Sequence, residues 1–134
     1  MYTALDQVVL VVKDLDAAVR TYRDALGFEF RETREIPYLG IRVAFFRVGD
    51  GALEIVQPTR EDVWQARHLA EKGEGLALMS FRVDDLEATL AELRAREVPI
   101  SATDFNPRGG RPRVEVDPAA TAGARLRFVQ GMPG

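Results

Sequence analysis

From Leu5 to Val12 almost every position is apolar. After the polar pair Lys13-Asp14 the spacing changes, and Leu15, Ala18, Val19, Tyr22 and Leu26 recur at the interval of one helix face. Asp14 stands at a good N-cap position, and Gly27 closes the helix. Three β-rich stretches follow: 28–33, 41–48 and 53–57. The last two are joined by Gly49-Asp50-Gly51, a hairpin signal. The first half of the chain therefore reads βαβββ.

The same phrase then returns. Val12-Lys13-Asp14-Leu15-Asp16-Ala17-Ala18 is echoed by Val83-Asp84-Asp85-Leu86-Glu87-Ala88-Thr89, a strand end, a cap and a helix start displaced by 71 residues. The second helix carries Leu86, Leu90 and Leu93 on one face. Its next strand runs through Val98 and Ile100, and two more lie at 113–116 and 125–129. Between the halves, Thr59-Arg60-Glu61-Asp62 has the form of a capping box opening a connector helix that ends near Gly73. The expected architecture is a single α+β domain of two tandem βαβββ modules, 1–58 and 75–131, joined by a connector over 59–74. A unit of this size cannot bury its own sheet face, so the modules should form a cupped mixed sheet around a shared central cleft or pair across a dimer interface.

Composition narrows the chemistry. The chain has 134 residues and 46% hydrophobic content, ordinary for one packed domain. No apolar run approaches the roughly 18 residues of a membrane helix, and the N-terminus lacks the basic start and apolar stretch of a signal peptide, so a cytoplasmic protein without a membrane partner is expected. Cysteine is absent, which removes disulfides, thiolate nucleophiles and sulfur ligation. Net charge is −3, and the arginines are dispersed among acids with no basic run, so nucleic acid is not an expected partner.

Four segments carry a family resemblance: 8–27; Pro37-Tyr38-Leu39-Gly40-Ile41-Arg42-Val43-Ala44-Phe45; Gly73-Glu74-Gly75 followed by Phe81-Arg82-Val83-Asp84-Asp85; and Gly109-Gly110-Arg111. In order and spacing they resemble the vicinal oxygen chelate superfamily of glyoxalase I, bleomycin resistance proteins and extradiol dioxygenases. The branch most resembled is that of the methylmalonyl-CoA epimerases. The resemblance spans nearly the whole chain, but the fold hosts lyases, epimerases, dioxygenases and drug-binding proteins, so it does not by itself select an activity. Small members usually pair, which implies a homodimer.

In metal-dependent members each module supplies a ligand from its first and its last strand. The corresponding positions here are Gln7, Glu54, Leu78 and Arg127. Glu54 is a good oxygen donor and Gln7 a weak one, whereas Leu78 has no donor atom and Arg127 offers only protons. The sole histidine, His68, falls in the connector and is read as a surface residue. No metal and no other cofactor is therefore expected.

Strand alternation suggests what replaces the ion. If Leu10, Val12, Leu53 and Ile55 face the helices, then Gln7, Val9 and Glu54 turn to the opposite side, as do Leu78, Ser80, Arg125 and Arg127 in the repeat. The middle strands are expected to add Arg42, Phe46, Arg113 and Glu115 to that side. Arg127 then stands where the ion would be. It either serves a ligand or simply pairs with Glu54 to hold the half-sheets in register. Gly109-Gly110-Arg111 reads as a hairpin turn ahead of a phosphate cradle, and Trp64 with His68 reads as connector packing.

Two functions follow. The first is a metal-independent protein that binds a small anionic or aromatic molecule, antibiotic-like or acyl-CoA-like, using Gln7, Arg42, Phe46, Leu78, Ser80, Arg113 and Arg127. The second is an epimerase, isomerase or lyase acting by proton transfer next to a carbonyl, with Glu54 or Glu115 as base. A third, a metal enzyme recruiting Asp117 or Glu115, is the weakest.

Overall fold

The computed structural model describes residues 2–108 and 111–131. Among them are eight strands and three α-helices, in the order of two tandem βαβββ modules, which makes the chain an α+β protein. It divides into two compact units, one of residues 7–77 and one whose described part comprises 2–6 and 78–131.

In the first unit, β1 (Tyr2–Val11), which belongs to it from Gln7 onward, leads to α1 (Leu15–Val19), and α1 passes without a break into a π-helical turn over Arg20–Ala25. The Asp14 carboxylate accepts from the Ala17 N–H at 3.0 Å, as its position predicts. Gly27 follows at φ 77°, a conformation a side chain would resist. Then come β2 (Glu29–Ile36), β3 (Ile41–Val48) and β4 (Gly51–Pro58). The strand order is β2-β3-β4-β1, antiparallel except that β4 runs parallel to β1. Val48 pairs with Gly51, so Gly49-Asp50 is a two-residue hairpin loop, with Gly49 at φ 59°.

One helix face and one sheet face make the core of this unit. Val12, Leu15, Val19, Ala44, Phe46, Leu53 and Ile55 are buried together, with Val8, Leu10, Tyr22 and Phe30 packed against them. Leu15, Ile55 and Phe46 are 0–1% exposed. Each such side chain contributes roughly 1.5–3 kcal/mol by leaving water.

The connector departs from expectation. The helix α2 spans Trp64–Lys72, so it begins at Trp64 and not within Thr59-Asp62, and Val63 is its N-cap. The predicted capping residues are engaged elsewhere. Arg60 donates to the Pro37 carbonyl and to Asp62, each at 2.9 Å, and the Thr59 N–H donates to the Gly40 carbonyl at 2.7 Å. The hydrogen bond from Arg60 holds the Asp62 carboxyl below the ordinary carboxylate range. Gly73 ends α2 as the pattern predicts.

The second unit repeats the plan: β5 (Gly75–Val83), α3 (Leu86–Ala95), β6 (Ile100–Asp104), β7 (Arg113–Val116) and β8 (Arg125–Gln130), in the order β5-β8-β7-β6. Its core joins Val83, Leu86, Leu90, Leu93, Val114, Val116 and Phe128. Asp85 caps α3 through the Ala88 N–H at 3.0 Å, the counterpart of Asp14. A second correspondence was not read from the sequence. The side-chain oxygen of Gln57, at the end of β4, accepts from the Leu15 N–H at 2.8 Å. That of Gln130, at the end of β8, accepts from the Leu86 N–H at the same distance. Each module thus satisfies an orphan donor at its helix start from its own last strand.

Candidate functional site

In the second unit the helix-facing side chains are Phe81, Val83, Val114, Val116 and Phe128, which leaves the alternate positions on the other face. Register places Leu78 beside Arg125 and Ser80 beside Arg127 on β5 and β8, and Glu115 directly opposite Arg127 on β7 and β8. Arg113 follows on the same face, paired in register with Val129. The expected strand phase of Leu78, Ser80, Arg113, Glu115, Arg125 and Arg127 is the one observed.

Charge is concentrated there. The two oxygens of Glu115 meet Arg125 Nη1 and Arg127 Nη2, each at 3.5 Å, and Arg113 approaches Asp104 at 4.0 Å. The side chains of Glu115 and Arg127 are 12% and 17% exposed, so Arg127 is not directed into solvent. Ser80 is fully buried, and its Oγ has no hydrogen-bond partner among the described residues.

Nearby in the same unit is a second charged group that the sequence did not reveal. Asp6, 6% exposed, accepts from Arg82 Nε at 2.7 Å and from Arg111 Nη2. A lone acid within the apolar run of β1 was the available signal, because a buried carboxylate needs a cation. Arg111 also reaches the Gln130 carbonyl at 3.5 Å. Its neighbours Gly109 and Gly110, expected to form a turn, lie outside the described residues.

The first unit confirms part of its expected phase and corrects the rest. Leu10, Val12, Leu53 and Ile55 do face the helix. Glu54 pairs in register with Val9 and Phe45, and Gln7 with Ala52, on the other face. Arg42 and Phe46 were expected on that face and are not there. Phe46 pairs with Leu53 and is 1% exposed in the core against the helix, while Arg42 reaches Asp16 at 3.4 Å and Glu35 at 3.6 Å. Val43, Phe45 and Arg47 hold the positions assigned to them. The reason is a one-residue shift of phase in β3, whose two faces are almost equally apolar. Arg34 stands over the Phe45 ring at 5.4 Å.

The donor set does not suit the divalent ion that the family resemblance implies. Leu78 is 1% exposed with no lone pair to offer, and Arg127 is a cation already facing a carboxylate. Among the described residues no three His, Asp or Glu side chains gather as a metal ion requires. Asp117, an alternative ligand, caps a short 3₁₀ turn through the Ala119 N–H at 3.0 Å. His68 and Trp64 lie on α2, both partly buried, in keeping with a packing role. No helix among the described residues is long and apolar enough to cross a membrane.

Known proteins are similar to this chain in sequence and fold. Mouse mitochondrial methylmalonyl-CoA epimerase is 27% identical over 129 residues, which is 94% of this chain and 72% of the mouse protein. The methylmalonyl-CoA epimerase of Mycobacterium tuberculosis superposes with a TM-score of 0.85 at 26% identity, covering 98% of this chain and 90% of that one. A methylmalonyl-CoA epimerase solved with methylmalonyl-CoA and ammonium gives 0.86 at 28% identity, over 98% and 96% of the two chains. The profile of the Glyoxalase/Bleomycin resistance protein/Dioxygenase superfamily matches residues 4–118. With the repeated βαβββ plan, its register and that match in hand, the chain belongs to the glyoxalase/bleomycin resistance protein/dioxygenase superfamily.

Proposed function

We propose that this chain binds a small carboxylate-bearing molecule of the acyl-CoA type, with guanidinium groups supplying the positive charge that a metal supplies elsewhere in the superfamily. The observation that carries this reading is the paired loss of donors at Leu78 and Arg127, on a face that instead presents Arg113, Arg125 and Arg127 beside Glu115 and Ser80. Guanidinium groups take carboxylates and phosphates through two parallel hydrogen bonds, and in a partly buried setting they do so more strongly than in water. Gln7 lies in its own unit on the sheet face opposite the helix. The homodimer implied by the resemblance belongs to this proposal and is checked by light scattering.

Calorimetry with methylmalonyl-CoA in the presence of a chelator tests the reading. Saturable binding that Arg127→Met weakens by about tenfold or more, equivalent to 1.4 kcal/mol, is the expected result. Binding that appears only when a divalent metal is added, or no binding at all, would overturn it.

A second reading adds turnover. It is favoured by relatives named as methylmalonyl-CoA epimerases that align over 94–98% of this chain. A carboxylate would remove the proton next to the thioester carbonyl, and the electron pair would move onto the carbonyl oxygen as an enolate. Return of a proton to the opposite face would give the epimer. The candidate bases are Glu54 and Glu115, the latter with both oxygens facing arginines. An arginine would then balance the enolate charge. Exchange of solvent deuterium into methylmalonyl-CoA, abolished by Glu54→Gln, is the expected outcome. Binding without exchange would leave a protein that only sequesters its ligand.

A further inference from the structure

We propose that Glu115 is a built-in occupant of the carboxylate position between Arg125 and Arg127, and that a ligand's carboxylate binds by displacing it. This rests on the binding reading above and deepens it by naming the group with which the ligand competes.

The contrast between two ion-pair groups in the same unit carries the argument. Asp6 makes full contact with Arg82 at 2.7 Å and is also bonded by Arg111, and it is 6% exposed, so it is a fixed structural tie. Glu115 makes one contact per oxygen, each at 3.5 Å, well beyond the roughly 2.7–2.9 Å of a charge-assisted hydrogen bond. Neither arginine grips it in the two-bond fork that guanidinium geometry permits. A carboxylate free to choose its position between the two would do better than one tethered to β7.

Two further features point to an exchangeable site. The Arg125 side chain is 31% exposed, so the pair has an open side. Ser80, beside Arg127 in register, buries a hydroxyl that has no hydrogen-bond partner among the described residues. Such a group costs about 1–3 kcal/mol until something accepts or donates to it, and an oxyanion seated on Arg127 is a fitting acceptor. A ligand without a carboxylate has no reason to displace Glu115.

The test compares methylmalonyl-CoA with propionyl-CoA, which lacks the carboxylate, by calorimetry on the wild type and on Glu115→Gln. The substitution should tighten methylmalonyl-CoA binding by about tenfold, a change of 1.4 kcal/mol, and leave propionyl-CoA binding unchanged. Weaker methylmalonyl-CoA binding would make Glu115 part of the grip on the ligand and overturn the inference. Equal tightening of both ligands would overturn it too, since the effect would then have nothing to do with the carboxylate. In either case the binding reading would stand, whereas a wild type that binds neither ligand defeats the binding reading itself. Should Glu115→Gln fail to fold, NMR of the wild type decides. Methylmalonyl-CoA but not propionyl-CoA should shift the Glu115 carboxylate carbon and the Nε signals of Arg125 and Arg127, and unmoved signals would refute displacement.

Discussion

Replacing Gly40 with alanine tests how the turn after β2 is held to the segment before α2. Gly40 has φ 67°, in the left-handed region, where an L side chain costs roughly 1–2 kcal/mol. A Cβ there would also stand 2.9 Å from Arg60 Nε and 2.9 Å from Val63 Cγ1, closer than van der Waals contact allows. Arg60 cannot swing away without releasing the Pro37 carbonyl and Asp62, and Val63 is the N-cap of α2. Overpacking of this kind typically costs about 1–3 kcal/mol, so the total should be about 2–5 kcal/mol. Gly49 provides the control: it has φ 59°, but a Cβ there would meet nothing within 4 Å, so Gly49→Ala should cost only the conformational part, about 1–2 kcal/mol. Urea unfolding followed by circular dichroism gives both values from the midpoints at unchanged slope. Equal destabilisation by the two substitutions would show that the contact with Arg60 and Val63 carries no energy, and the packing argument would fail.

Other consequences can be checked separately. Asp6→Asn leaves Arg82 and Arg111 without their shared carboxylate and should cost about 2–4 kcal/mol, somewhat below a fully buried pair because Arg111 is 31% exposed; a midpoint within error of wild type would show that the pair is dispensable. Glu97 sits at φ 61° at the end of α3, exposed, so Glu97→Gly should raise stability by up to about 1 kcal/mol, read from the thermal midpoint, and a lowered midpoint would contradict the backbone argument. Purified without chelators, the protein should carry only substoichiometric zinc, cobalt, nickel or iron by mass spectrometry. A full equivalent retained through dialysis would overturn the donor-set argument drawn from Leu78 and Arg127.

Much of this molecule can be read from residue order alone, because the signals involved are local. Asp14 and Asp85 cap helices through N–H groups three residues away, Gly49-Asp50 turns a hairpin, and Leu53 and Ile55 show their phase because Glu54 stands between them. The loss of metal donors at Leu78 and Arg127 is likewise a matter of side-chain identity. What tertiary structure decided involves pairings between distant segments. In β3, Val43 and Phe45 are as apolar as Ala44 and Phe46, so alternation cannot set its phase. Only pairing with β4, which puts Phe46 beside Leu53 and Phe45 beside Glu54, sends Phe46 to the core and Arg42 to Asp16. Arg60 reaches back 23 residues to Pro37, outside α2, and Asp6 found its cations 76 and 105 residues away. Residue patterns within a few positions determine which elements form, but which charges meet depends on strand register, and register is a property of the folded sheet.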